Sequence, residues 1–131
     1  MTADLHYLVY STVLAWAMIM TAAVLRTRAW TTSGLMLAFS NRENVPPPTS
    51  IAGRTERAAR NMLVNLTLFA ALLLAVHAAN LNDPRVETGA ALFFWARLVY
   101  FPLYVVGVIY LRTLVWMVSV VGLGAIVAAL W

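Results

Sequence analysis

Residues 113–131 read TLVWMVSVVGLGAIVAALW, nineteen consecutive positions without a charged side chain. A helix rises 1.5 Å per residue, so about 20 apolar residues cross the roughly 30 Å of bilayer hydrocarbon. The run therefore qualifies as a membrane-spanning helix. Three further stretches qualify on the same grounds, at about residues 5–25, 59–78 and 89–110. Hydrophobic residues make up 63 % of the chain and charged ones 11 %, against about 25 % charged in soluble domains. The expectation is an all-α integral membrane protein, one four-helix bundle over residues 1–131, with its outer surface in contact with membrane lipids.

The connections set the topology. Between the first two spans lie Asn41, Arg42, Glu43 and the run Pro46, Pro47, Pro48, which removes backbone donors and favours an extended path, so this segment is a loop. The second connection, residues 80–88, contains Asn82, Asp83 and Pro84, a turn-initiating cluster, and the third is expected at about residues 111–113. Such a short third link makes the last two spans antiparallel neighbours. The leading residues carry Asp4 and no Arg or Lys, and the first apolar run exceeds a signal-peptide core, so it reads as a retained helix. All nine basic residues are arginines, six of them from Arg26 to Arg60. Weighed with Arg112 against Arg85 alone on the other face, they put loops 1 and 3 in the cytosol and both termini outside.

A charged group at mid-helix costs about 2.5–3.5 kcal/mol on insertion scales, so polar residues inside spans call for partners. Arg57, Asn61 and Asn65 recur every four residues along the second span, with Arg60 beside them. In the third span Arg97, Tyr100 and Tyr104 are spaced three and four apart. Continued to Arg112 as one helix, the stripe occupies about 120° of arc and suits a single groove. The plainer reading has Arg57 and Arg60 snorkelling to the interface or pairing with Glu56, and the tyrosines as packing aromatics. Arg97 resists that reading, because none of the four stretches contains an acid. Pro102 is expected to bend the third span, and Gly107, Gly122 and Gly124 offer points of close helix approach.

Other chemistry is poorly provided for. The chain has no cysteine, which removes disulfides, thiolate metal sites and cysteine nucleophiles. His6 and His77 read as water-facing residues near the outer ends of their spans, and no metal is expected. Trp16, Trp30, Trp95, Trp116 and Trp131 read as an aromatic belt with some packing. The aromatics lie inside apolar runs, not interleaved with basic residues on a polar surface, so nucleic acid is not an expected partner. A proton-coupled transporter would want a carboxylate in the membrane, and the four stretches lack one.

The block Gly53-Arg54-Thr55-Glu56-Arg57-Ala58-Ala59-Arg60-Asn61, followed by an apolar helix with Leu68-Phe69, resembles the second-helix signature of the MAPEG family, the membrane-associated proteins in eicosanoid and glutathione metabolism. The run from Ala96 through Arg97, Tyr100, Pro102 and Tyr104 to Tyr110, Arg112 and Trp116 is similar to the family's third helix and turn, particularly in bacterial members. The resemblance covers about three quarters of the chain. It implies a four-helix protomer, a homotrimer, and glutathione as co-substrate in a groove between subunits near the cytosolic side. On that resemblance Arg57, Asn61, Arg97, Tyr100 and Tyr104 would bind the tripeptide and Arg112 would stabilise its thiolate, for transferase or peroxidase chemistry on a lipophilic small-molecule substrate. A bacterial inner membrane is the implied location.

One position departs from the pattern. Three residues after the helix-2 Asn, glutathione-using members carry a Glu that meets the peptide's ammonium group, whereas this chain has Val64. Asn65 is adjacent but turned by about 100°. An unpaired ammonium in a groove costs about 1–3 kcal/mol of binding where it is desolvated. The alternative expectation is therefore a non-catalytic member serving as a structural or accessory subunit of a larger membrane complex.

Overall fold

The computed structural model describes all of residues 1–131 and is helical throughout its ordered elements: α1 (Ala3–Thr27), α2 (Thr32–Phe39), α3 (Ser50–Ala78), α4 (Pro84–Val106) and α5 (Ile109–Ala129). All but α2 are long and apolar enough to span a membrane. They pack as a bundle in which α4 and α5 form the closest pair and α1 lies along α3 and α4.

Local chemistry explains where the helices differ from the expected spans. The second span was expected from residue 59, yet α3 begins at Ser50, immediately after the prolines, because the Thr49 side chain accepts a hydrogen bond from the Ala52 amide. At 29 residues α3 is about 43 Å long, so its first turns project beyond the hydrocarbon. The third span was expected at 89–110 and is found at Pro84–Val106. Asp83 caps its start by accepting from the Arg85 amide at 2.8 Å, and Pro84 occupies the first turn, where its missing N–H is no loss. The Arg85 side chain also donates to Asp83 and holds that carboxyl below the usual carboxylate range. Gly107 ends the helix with φ at 91°, a left-handed conformation suited to glycine. The reversal therefore falls at Gly107 and Val108, not at residues 111–113, and Arg112 belongs to the first turns of α5.

Loop 1 contains the additional helix α2, whose N-cap Thr31 accepts from the Gly34 amide at 3.0 Å. A Cβ on Gly34 would lie 2.0 Å from the Arg28 carbonyl oxygen, so only glycine permits this contact with the end of α1. Arg26 ties the loop down, donating to the Pro46 carbonyl and pairing with Glu56 at 3.1 Å. Glu56 thus serves Arg26, and not Arg57 or Arg60 as the plainer reading of those arginines had it.

The core is a column of Met18, Met62, Phe69, Leu73, Phe93 and Ile126, with Phe69 and Phe93 stacked at 4.2 Å between centroids. Small residues let the helices close around it. At the α4–α5 crossing a Cβ on Gly89 would stand 2.5 Å from the Gly122 carbonyl oxygen, and one on Gly122 would stand 2.6 Å from that of Gly89. Gly124 faces open space and plays no such part within the protomer. Only 28 of 131 residues are buried, leaving Trp16, Leu74, Val106 and Val121 among many exposed apolar side chains. An apolar surface this extensive belongs against hydrocarbon or another protomer.

Candidate functional site

Three turns into α3, Asn61 is fixed from two sides. Asn65 Nδ2 donates to its main-chain carbonyl at 2.9 Å, and Arg97 Nη1 of α4 donates to its Oδ1 at 2.6 Å. The side-chain oxygen is thereby committed as an acceptor and Nδ2 remains free to donate. Arg97 is 1 % exposed and is sandwiched by aromatic rings, its Cζ 5.5 Å from the Phe93 centroid and 5.4 Å from that of Tyr100. These cation–π contacts offset part of the lost hydration, as does the bond to Asn61. Arg97 Nε and Nη2 nevertheless have no hydrogen-bond partner.

Tyr104 follows one turn after Tyr100, with 5.5 Å between their centroids. Arg112 arrives from the other direction. It was expected on the same continuous helix as Tyr104, but the break at Gly107 carries it onto antiparallel α5, which folds it back so that its Cζ lies 4.4 Å from the Tyr104 centroid. The chain reversal does what the arc on a single helix was expected to do.

Between these side chains opens a cleft of about 210 Å³ lined by Asn61, Tyr100, Tyr104, Arg112, Thr113 and Trp116. Arg97 stands one layer behind it, against Asn61 and Tyr100. Trp116 Nε1 is buried and unpartnered, a second donor without an acceptor. Buried polar groups are nearly always satisfied, so the unpartnered nitrogens of Arg97 and Trp116 beside one cleft stand out, the other unpartnered buried atom being Ser11 Oγ on α1. The cleft lies at the end of the bundle that carries loop 1 and the α4–α5 reversal.

Not every expected residue joins this group. Arg57 is exposed, one turn before Asn61, with no hydrogen bond or ion pair, and Val64 is exposed one turn after it. Arg54, for which no role was expected, donates from Nε to the Val105 carbonyl at 2.8 Å and so closes the C-terminus of α4 beside Gly107. Thr113 and Trp116 were also missed as lining residues. Their spacing of one and four from Arg112 is the signal that could have found them.

Three larger recesses lie elsewhere, one of about 360 Å³ formed by Leu37 and residues 40–44, and two that differ in character. One of about 320 Å³ lies within loop 1, under Arg26, Arg28 and the three prolines. The other, of about 540 Å³, lies at the opposite end of the bundle and is lined by Asp4, His77, Asp83 and Glu87. There His77 Nε2 is 2.7 Å from Asp4 Oδ2, tying α1 to α3, so His77 is an interhelical partner and not the purely water-facing residue expected. His6 instead bonds the Thr2 carbonyl at 3.0 Å.

Among known proteins, the family model described as MAPEG family matches residues 7–131. No curated protein and no solved structure matches the chain.

Proposed function

The chain belongs to the MAPEG family, and on that premise we propose that it is a homotrimeric enzyme that binds glutathione, or a similar acidic thiol, at the Asn61–Arg112 cleft. In this reading it conjugates the thiol to lipophilic electrophiles or uses it to reduce lipid hydroperoxides. The observation that carries the reading is the gathering of Arg97 and Arg112 with Asn61, Tyr100 and Tyr104 around orphaned donors. A planar guanidinium grips a carboxylate through paired hydrogen bonds, and a cation close to a thiol favours its ionised form.

Each residue then has a task. Arg97, held by Asn61 and the two rings, supplies fixed positive charge behind the cleft, with Nε and Nη2 in need of acceptors. Asn61 Nδ2 and the tyrosine hydroxyls orient the ligand from α3 and α4. Arg112, stacked on Tyr104, stabilises negative charge on sulfur. Glutathione would supply the nucleophile, so no side chain of the protein has to form a covalent bond. Lipophilic partners would reach the cleft directly from the bilayer.

The cleft's size supports assembly. At about 210 Å³ it falls below the roughly 300–1,000 Å³ of small-molecule sites. A neighbouring protomer would complete the wall and cover part of the exposed apolar surface. With the positive-inside rule applied to the arginines of loop 1, the cleft opens toward the cytosol of a bacterial inner membrane, with both termini outside.

Val64 favours a second reading, in which the chain keeps the fold and acts as a non-catalytic subunit of a larger membrane complex. Calorimetry of the detergent-solubilised protein separates the two. Saturable glutathione binding that disappears in Arg112→Ala and Asn61→Ala is the result expected of the enzyme. No heat at millimolar ligand, together with a foreign membrane subunit copurifying in fixed ratio, would establish the accessory role instead.

A further inference from the structure

Loop 1 carries an apolar surface and a basic recess, and neither has a partner within the protomer. On α2, Gly34 is buried and Leu37 and Ala38 are half-buried, while Leu35, Met36 and Phe39 share about 100° of arc and are exposed, Phe39 to 86 %. Trp30, just before them, is also exposed. The recess beside α2, of about 320 Å³, has the size of a small-molecule site. Two arginines line it and no acid does. Arg26 is engaged by Glu56 at 3.1 Å, whereas the exposed Arg28 side chain makes no hydrogen bond or ion pair. Two hydroxyls of the lining have protons to donate: Thr49 Oγ1 only accepts, from the Ala52 amide, and Ser33 Oγ has no partner nearer than Thr31 Oγ1 at 3.5 Å. Both surfaces lie at one depth. With 25 residues α1 is about 37 Å long, more than the roughly 30 Å of hydrocarbon, so its end at Thr27 reaches the headgroups. Gly34 holds α2 there, since a Cβ on it would stand 2.3 Å from the Thr27 carbonyl oxygen and 2.0 Å from that of Arg28.

We propose that loop 1 is a binding site for an anionic phospholipid: Trp30 and the exposed face of α2 enter the boundary of headgroups and acyl chains, and the lipid phosphate is held in the recess by Arg28 with the Ser33 and Thr49 hydroxyls. A guanidinium and hydroxyl donors suit phosphate oxygens, and an apolar helix face gains by burial at the membrane surface. A phospholipid is the occupant that answers both surfaces together. A soluble anion would leave Met36 and Phe39 bare, and an apolar partner would leave Arg28 without a counter-charge. The recess shares no lining residue with the Asn61–Arg112 cleft, so the lipid site stands whatever that cleft binds.

Native mass spectrometry of the full-length protein in detergent, supplied with equal amounts of phosphatidylglycerol and phosphatidylcholine of one chain length, tests the site. The wild-type protein is expected to retain phosphatidylglycerol about fivefold over phosphatidylcholine, equivalent to about 1 kcal/mol, the contribution of one arginine beside an anionic surface. Arg28→Gln should remove that preference. Arg60→Gln, which neutralises another exposed arginine at the same end of the bundle, should keep it, and Phe39→Ser should weaken retention of both lipids together. Equal retention in the wild type, or a preference that survives Arg28→Gln, would overturn the proposal. An equal loss in Arg60→Gln would reduce the effect to the general positive charge of this end and would overturn the site as well. Inorganic phosphate that displaces phosphatidylglycerol at equal concentration would make the recess a site for free anions, and an oligomer lost in Phe39→Ser would give the α2 face to a second copy of the chain; either result ends the lipid assignment.

Discussion

Arg97 is a guanidinium placed where membrane proteins rarely keep one without an acid, held by a single amide oxygen and two aromatic faces. Side chains retained only for packing can be exchanged for apolar ones of similar volume, and removal of a poorly compensated buried charge is often neutral or stabilising. Arg97→Met is therefore expected to keep or raise the thermal midpoint in detergent while abolishing ligand binding. A loss of several degrees would show that the residue serves the fold. Arg112 makes a different claim. If it stabilises a thiolate, Arg112→Ala leaves the bound thiol close to its free pKa of about 8.5. The pH–rate profile for conjugation should then move its rising limb to higher pH, since the ionised fraction at neutral pH falls. An unchanged limb with a lower plateau would assign Arg112 to positioning alone.

Helix pairing rests on small residues whose position decides their effect. At Gly122 an added methyl meets the Gly89 carbonyl and the Phe93 amide, backbone atoms that cannot rotate away. Gly122→Ala is expected to destabilise the protein by about 1–3 kcal/mol through overpacking, seen as a lower thermal midpoint. Gly124→Ala meets nothing within 4 Å and gains helix propensity, so it should be neutral or mildly stabilising in the protomer. The sequence announced the four spans because twenty apolar residues in a row have one solution in a bilayer, but its reading of element ends was poorer. Thr49, Asp83 and Gly107 each carry a recognisable capping signal, yet hydropathy alone ended the third span four residues too late and left Arg112 in the connection, not on α5. The stripe of Arg97, Tyr100 and Tyr104 was legible from its three- and four-residue spacing. The Arg26–Glu56 pair, the Arg54 clamp on Val105 and the Gly34 contact were not, since each joins segments whose proximity only the folded chain creates.

The protomer as a whole has surplus apolar surface, a half-open cleft and a steep asymmetry of charge, and each asks for something outside it. Lipid answers the first, and in the proposed homotrimer an adjacent subunit would wall the cleft and cover part of the same surface. Native mass spectrometry should then show a dominant trimer, and a dominant monomer that still binds thiol would show the cleft complete in one chain. Charge answers for orientation. Loop 1 and the α3 start hold Arg26, Arg28, Arg42, Arg54, Arg57 and Arg60, whereas the opposite end carries Arg85, already bonded to Asp83 at 2.7 Å, beside Asp4 and Glu87. Arginine is retained on the cytosolic side during insertion, so the cleft end should face the cytosol. Because the chain has no cysteine, a thiol introduced at Thr2 or at Ser40 is unique and its labelling unambiguous. A membrane-impermeant maleimide added to intact cells should modify Thr2→Cys and spare Ser40→Cys until the membrane is opened. The reverse pattern would put the cleft on the outer face, away from the cytosolic thiol pool, and would count against glutathione as its ligand more heavily than any change at Val64.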